Sequence, residues 1–292
     1  MSTPVTRRSV LKQLALAGAA LPLAGRIAAA PATADQPAGP AAPRSPGFNF
    51  QLGVATVSLK SLPLEQALAA VRRVGLDCIS VHRAHSPWED SPSAWRAVAQ
   101  RITAAGVRPL CCGVLYLKND EPALRRMCEY VRALGVSLFS CSPEPSALPL
   151  LERCVREYDL RAAIHNHGPE DKTWPSPVEI WRAIGPLDPR IGLCLDVGHS
   201  YRAGVDPVDA IHRYHERLYD VHLKDSAAAV GAEDIPVELG RGRLDQRAIL
   251  TALREIEYRH SVWFEYEKDP NDPLPGLAES VGYFRGLACG LA

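Results

Sequence analysis

From residue 48 onward, short apolar runs rich in β-branched residues alternate with longer stretches in which apolar residues recur at helical spacing. The eight runs cover residues 50–59, 78–82, 108–117, 136–142, 161–167, 191–199, 218–225 and 261–267. The clearest helical stretches cover residues 63–75, 93–106, 121–135, 146–160 and 244–258. Eight strand–helix units of about 30 residues predict an α/β fold, a single-domain (β/α)8 TIM barrel spanning residues 48–292.

A doubly wound open sheet is the alternative fold, because counting strands does not establish that a sheet closes. No GxGxxG motif follows the first predicted strand, which argues against a dinucleotide site of the kind found in such sheets.

The first 47 residues are set apart from the predicted barrel. "TRRSVLK" precedes the apolar stretch "QLALAGAALPLAG" and the small residues "AAA", which is the layout of an export signal. Arg7 and Arg8 resemble a twin-arginine signal, with Val10 where that pattern usually has Phe. We expect cleavage near Ala30, a linker over residues 31–47 and a periplasmic protein, with an uncleaved tail as the alternative. The apolar stretch is too short and too rich in Ala and Gly for a stable membrane anchor.

The distribution of charge argues against a nucleic-acid partner. The chain has 33 basic and 33 acidic residues, but four of the basic ones lie in the first thirty positions, which hold no acid. The rest of the chain therefore carries 29 basic against 33 acidic residues. Binding to a phosphate backbone without regard to sequence would require the opposite balance.

Eight cysteines in an exported protein could indicate a disulfide framework, but this chain is far larger than the small scaffolds that depend on one. Several lie inside apolar strand-like runs, where a free thiol behaves as a small apolar group; these are Cys78, Cys111, Cys141 and Cys194. We predict that they are buried and unpaired. None of the eight falls in a paired CxxC pattern, so a thiolate zinc site is not expected.

Unusual polar residues lie at the ends of four consecutive predicted strands. The fifth strand ends with His165 and His167, the sixth with Asp196 and His199, the seventh with His222, Lys224 and Asp225, and the eighth with Glu265 and Glu267. The carboxyl ends of barrel strands meet at one face, and residues two apart on a strand point to the same side. We therefore expect His, Asp, His and Glu side chains to meet in one mouth.

Imidazole and carboxylate groups that converge in this way suit a divalent transition metal with open positions for substrate or water. Any one histidine taken alone is more often a hydrogen-bonded structural residue than a ligand. Because four neighbouring strands each end in a possible ligand, the sequence favours a shared metal site.

Five segments, in their order along the chain, resemble the sugar phosphate isomerase/epimerase proteins, whose xylose isomerase-like barrel is also used by endonuclease IV. They are "AIHNHGPED", "LCLDVGHS", "DVHLKD", "GRGRLD" and "WFEYE", and the resemblance covers about residues 48–288. It implies one divalent metal at the ends of strands five to eight, with Asp196, His222 and Glu265 as ligands. It also implies that His199 contacts the substrate. The segments are specific to the superfamily in this order and do not specify a substrate.

The fifth-strand position departs from that family pattern. The ketose 3-epimerases place a glutamate where this chain has His165, and there the glutamate is also one of two acid/base carboxylates. With His165, Asp196, His222 and Glu265 as ligands, a divalent ion gives a neutral site rather than one of formal charge −1. A less compensated cation polarises a carbonyl or water more strongly, and nitrogen-rich ligation favours manganese, cobalt or zinc over magnesium.

The remaining polar residues give candidates for catalysis and substrate binding. His167 and Glu267 are candidates for proton transfer, as is the ligand Glu265, although His167 and Glu267 could instead orient the ligands two residues away. The candidates for substrate contact are His199, Lys224, His82, His85 and Arg243. The structural alternatives are that Lys224 is a surface lysine paired with Asp225 and that His82 and His85 are ordinary loop residues. The "GRGRLD" segment is expected to form a tight glycine-rich turn, from which Arg241 or Arg243 could approach an anionic substrate.

We expect a metal-dependent isomerase or epimerase acting on a carbohydrate or polyol, which removes a proton next to a carbonyl to form a metal-stabilised enediolate. The alternatives are a metal-dependent lyase or hydrolase acting on oxidised sugars or glycosides, and a non-catalytic sugar-binding barrel. An endonuclease is disfavoured because endonuclease IV relatives use three metals and more ligands. Export favours free or oxidised sugars over sugar phosphates, and the sequence leaves a homo-oligomer open.

Overall fold

Eight parallel strands close into a barrel in the computed structural model, which describes residues 48–291. The barrel strands are β1 (Gln51–Ala55), β2 (Cys78–Val81), β3 (Arg108–Leu117), β4 (Leu138–Pro143), β5 (Arg161–His165), β6 (Ile191–Asp196), β7 (Leu218–Leu223) and β10 (Ser261–Phe264). Their order around the barrel is β1-β10-β7-β6-β5-β4-β3-β2, and β1 pairs with both β10 and β2. The predicted TIM barrel is confirmed, and the open sheet is excluded.

Two further strands, β8 (Asp225–Ser226) and β9 (Pro236–Val237), form a short antiparallel pair after β7. The helices are α1 (Leu64–Arg73), α2 (Pro92–Ala104), α3 (Glu121–Ala133), α4 (Leu148–Tyr158), α5 (Pro177–Ile184), α6 (Val197–Arg202), α7 (Pro207–Tyr214), α8 (Gln246–Glu255) and α9 (Pro273–Leu291). The five helical stretches expected from the sequence correspond to α1 to α4 and α8.

Most of these helices are preceded by a residue whose side chain accepts a hydrogen bond from a backbone amide of the first turn. This bond satisfies one of the free amides at the start of the helix. The capping residues are Ser91, Asp120, Ser176, Asp196, Asp206 and Asp245. Helices α1, α2 and α3 are followed by Gly75, Gly106 and Gly135, which adopt positive φ angles of 77°, 70° and 77°. Glycine adopts this conformation without the penalty of a β-carbon.

The apolar core has a large cluster formed by strands and helices and smaller clusters that include thiols. One small cluster contains Cys78, Cys111 and Trp263, and another contains Cys194 and Tyr219. All eight cysteines are free, and only Cys289 is exposed. The prediction that the strand cysteines are buried and unpaired is confirmed.

The export signal and linker expected in the first 47 residues lie outside the described residues. Between residues 48 and 291, none of the helices has the length and apolar character needed to cross a membrane.

Candidate metal centre

Four side chains from neighbouring strands converge at the carboxyl end of the barrel, as the sequence predicted. His165 ends β5, Asp196 ends β6, His222 lies in β7, and Glu265 follows β10. One ligand atom from each of the four lies within 4.8 Å of the others. Strand register brings them together, because Asp196 pairs with His222 across β6 and β7.

The unpaired atoms of this cluster fit a divalent cation. His165 Nδ1 and Nε2 and Asp196 Oδ2 are buried and have no hydrogen-bond partner, and His222 Nδ1 faces Glu265 Oε2. His165 Nε2 lies 3.7 Å from Asp196 Oδ2, too far for a hydrogen bond. Buried polar atoms are nearly always paired, so several unpaired nitrogen and oxygen atoms that face one another indicate a position suited to a metal ion. Two imidazoles and two carboxylates match the preferences of manganese, cobalt and zinc.

Protonation in the cluster is set by burial and by neighbouring charges. Burial, reinforced by His167 and His222, lowers the pKa of His165 well below its usual value, so the imidazole is neutral. Burial raises the pKa of Asp196, although Lys224 opposes this effect. Burial also works against ionisation of Glu265, but Lys224 and His222 hold its pKa well below the usual value. The site therefore offers a neutral nitrogen from His165 and a firmly anionic oxygen from Glu265.

Asn166, which sequence analysis did not single out, fixes the backbone of Asp196. Its side-chain Nδ2 donates to the Asp196 carbonyl at 3.0 Å, and the Asp196 amide donates to Asn166 Oδ1 at 3.0 Å. Both residues are fully buried. The short polar residue between the two histidines therefore positions a proposed ligand on the next strand.

Lys224 lies within the site and is 1% exposed, so the interpretation of a surface lysine paired with Asp225 is wrong. Its Nζ is 2.7 Å from Glu267 Oε2, 3.0 Å from Glu265 Oε1 and 3.6 Å from Asp196 Oδ2. Burial lowers the pKa of Lys224, but the three carboxylates raise it well above its usual value. The lysine therefore remains an ammonium group, which donates hydrogen bonds and carries positive charge into the site.

His199 lies on a helix rather than at the end of a strand, which corrects the sequence interpretation. β6 ends at Asp196, and the Asp196 Oδ1 atom accepts a bond of 2.8 Å from the His199 amide, so the same residue begins α6. The two ring nitrogens of His199 lie 3.2 Å from Lys224 Nζ and 3.2 Å from Arg202 Nη1. A neutral imidazole has one acceptor nitrogen, so only one of these contacts is a hydrogen bond.

His167 lies at the partly exposed side of the site, and its ring centroid is 4.6 Å from that of His165. Its Nδ1 lies 3.2 Å from Asp171 Oδ2, although without the alignment of a hydrogen bond. Tyr116 stacks on its other side, with ring centroids 5.8 Å apart and the hydroxyl 3.4 Å from His167 Nε2. Burial lowers the pKa of His167 despite the nearby Asp171. Tyr116, at the end of β3, carried no sequence signal because it is one aromatic residue in an apolar run.

The two histidines after β2 have different environments. His85 is buried, with Nδ1 3.1 Å from Thr56 Oγ1 and Nε2 3.0 Å from the Leu62 carbonyl. Its nitrogens are therefore occupied by the protein, and the structural alternative describes it better than substrate contact. His82 is partly exposed, and burial lowers its pKa to about 4 while Glu265 acts in the opposite direction. His82 thus remains a candidate for the wall of the mouth.

The "GRGRLD" segment encloses a carboxylate of the protein itself. Asp225 accepts backbone hydrogen bonds from Gly240 at 2.9 Å, Gly242 at 3.1 Å and Leu244 at 3.3 Å. A β-carbon on Gly242 would lie 2.0 Å from Asp225 Oδ1. These amides are consequently not available to an anionic substrate.

The arginines of this segment are also bound within the protein. Arg241 pairs with Glu279, and Arg243 Nε donates to the Ala227 carbonyl at 2.8 Å. The structure does not bring Arg243 into the cluster with the proposed ligands, because that bond holds its guanidinium against the segment after β8. Its expected contact with substrate has no support in the geometry.

Comparison with known proteins agrees with the fold. The family model described as xylose isomerase-like TIM barrel matches residues 68–287. The chain belongs to the xylose isomerase-like TIM barrel family. A solved member of this fold, the IolI protein with a bound zinc atom, superposes with a TM-score of 0.69 at 16% identity. The superposition covers 82% of this chain and 99% of IolI.

Curated relatives of this xylose isomerase-like barrel match over part of their length. The rhizopine catabolism protein MocC of Rhizobium meliloti is 32% identical over an alignment of 148 residues, gaps included, that covers 46% of this chain and 45% of MocC. The inosose dehydratase of Geobacillus kaustophilus is 33% identical over an alignment of 110 residues, gaps included, that covers 32% of this chain and 35% of that enzyme. The chain thus matches less than half the length of either relative.

Proposed function

We propose that the protein is a divalent-metal-dependent enzyme that removes a proton next to the carbonyl group of a carbohydrate or polyol-derived ketone, with isomerisation or epimerisation as the outcome. The observation that supports this most strongly is the convergence of unpaired, buried atoms of His165 and Asp196 with His222 and Glu265. A divalent ion held by these residues would polarise the carbonyl and stabilise the negative charge that develops on its oxygen.

Lys224 has an electrostatic role in this proposal. Its raised pKa keeps it protonated, which makes it unsuitable as a proton acceptor. The ammonium group is held by Glu265 and Glu267, so it presents positive charge and hydrogen-bond donors beside the proposed ligands. We assign it to the binding of sugar hydroxyl groups or of the oxygen on which negative charge develops.

His167 is the proton acceptor that the geometry favours. It is partly exposed beside His165, and Asp171 lies behind its Nδ1 atom at 3.2 Å. A carboxylate at that distance stabilises, through its charge, the imidazolium formed when Nε2 accepts a proton. Glu267, the other candidate, is engaged by Lys224 at 2.7 Å. We therefore assign Glu267 to the positioning of the lysine.

Elimination of water is the second candidate reaction, and two observations favour it. The chain has His165 where two-carboxylate epimerases have a glutamate, so the second acid/base carboxylate is missing. The similarity to inosose dehydratase also points to a ketone from which water is lost after proton removal. Both reactions begin with removal of the proton next to the carbonyl group. In isomerisation or epimerisation a proton is then returned to carbon, whereas in dehydration a hydroxyl group leaves as water.

The test begins with elemental analysis of the purified protein, followed by incubation with keto-sugars and inososes in deuterated water with the metal found. Epimerisation or isomerisation predicts deuterium in recovered substrate and in an isomeric product. Dehydration predicts loss of water and the ultraviolet absorbance of a conjugated enone. Purified protein that has no divalent metal and binds none on addition would contradict the proposal. We also propose that the enzyme is exported to the periplasm and acts there on free or oxidised sugars.

A further inference from the structure

Beneath the candidate metal centre, the barrel interior has a second set of donors that includes a sulfur atom. Cys194 lies two residues before Asp196 on β6, so its side chain is on the same side of the strand, one layer deeper. Ligand atoms of His165, Cys194 and His222 lie within 4.8 Å of one another. All three side chains are buried, and both ring nitrogens of His165 are unpaired.

His222 presents its two ring nitrogens to different neighbours. Nδ1 contacts Glu265 Oε2, whereas Nε2 has no hydrogen-bond partner and lies 3.6 Å from Asp220 Oδ2. The same Asp220 oxygen lies 3.7 Å from Cys194 Sγ and 3.5 Å from Cys111 Sγ. The imidazole ring therefore lies between an oxygen-rich donor set and a set that contains sulfur.

We infer that thiophilic divalent cations, of which cadmium is the example, bind in this deeper position through Cys194, with His165 and His222 as nitrogen ligands. Thiolate sulfur selects such ions, whereas manganese prefers the oxygen-containing set. As the bond between sulfur and metal forms, the thiol proton is released to solvent. Asp220, which also accepts hydrogen bonds from Ser261 Oγ and Trp263 Nε1 at 2.6 Å each, supplies negative charge beside the ion.

The two positions use different nitrogens of His222 but share His165, so two divalent ions would compete for His165 and repel each other at close range. Cadmium should therefore displace manganese although it does not occupy the same set of donors. This consequence rests on the proposed function, because it assumes that manganese binds to the set that contains Asp196 and Glu265.

The test uses full-length protein, stripped of metal by a chelator, in a Cys289→Ser background that removes the one exposed thiol. Cadmium binding is followed by the ultraviolet charge-transfer absorbance from sulfur to cadmium, and manganese binding by loss of the electron paramagnetic resonance signal of the free ion. We expect a saturable cadmium band that disappears in Cys194→Ser, while manganese still binds. Cys141→Ser, which removes another buried strand cysteine, is the matched control and should retain the band.

A band that persists in Cys194→Ser, or that never forms in the background protein, overturns the inference. Cys194→Ala is the second variant, and manganese binding by either variant shows that the protein is folded. If the background protein fails to bind manganese, the proposed function fails, whereas the cadmium band still decides whether the deeper site exists.

Discussion

Asn166 and Asp196 exchange two hydrogen bonds of 3.0 Å in opposite directions, from the side chain of one residue to the backbone of the other. Replacing Asn166 by Ala leaves a buried amide and carbonyl unpaired. We expect the free energy of unfolding to fall by about 1–3 kcal/mol. Affinity for manganese should fall about 10–100-fold, as is typical when a group that orients a ligand is lost. Chemical denaturation and metal titration measure the two effects, with exposed Asn119→Ala as the control.

His165→Ala and Asp196→Ala should each remove bound metal and activity together, because each deletes one of four converging donors. Elemental analysis of the purified variants and turnover assays measure the result. His212→Ala is the matched control, since His212 is exposed and its near partner is Glu255, at 3.4 Å. Stoichiometric metal in both ligand variants would show that the ligand assignment is wrong.

Lys224→Met should destabilise the metal-free protein by about 3–5 kcal/mol, since it removes the cation from a buried group of carboxylates. A divalent metal restores positive charge beside Asp196 and Glu265. The rise in thermal midpoint on addition of manganese should therefore be larger in the variant than in the unaltered protein. Lys268→Met removes a more exposed partner of Glu238 and should show no such difference. Equal responses to manganese would argue against charge compensation.

His85 should make stability depend on pH in the acidic range. Nε2 faces the Leu62 carbonyl, which can only accept, so Nε2 carries the proton and Nδ1 accepts from Thr56. Burial lowers the pKa of His85 below its ordinary value of 6.5. The unfolded chain therefore binds more protons just below pH 6.5, and the stability contributed by neutral His85 is lost as the pH falls.

Urea denaturation at pH 7 and pH 5 tests this expectation, with His85→Gln as the comparison. The free energy of unfolding should fall more between the two pH values in the unaltered protein than in the variant. The same fall in both would show that His85 is not responsible.

Export depends, in our proposal, on Arg7 and Arg8, which precede the apolar stretch of the N-terminal segment. Replacing both by Lys keeps the charge but removes the twin-arginine pattern, so the protein should remain in the cytoplasm. Cell fractionation followed by immunodetection measures the distribution. Cytoplasmic accumulation of the unaltered chain would contradict a periplasmic location.

The cluster of His165, Asp196, His222 and Glu265 could be predicted because each residue follows or ends an apolar run, and parallel strands bring such positions to one face. Glu267, two residues after Glu265, also contacts Lys224. Local sequence patterns were sufficient for these residues because all strands of a parallel barrel end at the same face, so position along a strand predicts where a side chain lies.

Contacts between distant segments could not be predicted in this way. His82 and His85 have the same local pattern, but the packing of His85 against Thr56 and Leu62 depends on residues more than twenty positions away. Asp196 was expected only at the end of a strand. Its Oδ1 atom also accepts a hydrogen bond from the His199 amide, so α6 begins there and His199 lies on a helix. This double role of the Asp196 carboxylate depends on where the chain turns from β6 into α6, and the spacing of apolar residues does not predict that turn.

The enclosure of Asp225 by the "GRGRLD" segment has a practical consequence for engineering the substrate range. Most variants from a library randomised at Gly240 or Gly242 would be unable to form this loop, because Gly242 has no room for a larger residue. Diversity is better introduced at Tyr116 on the opposite rim, where the ring is 68% exposed and borders His167.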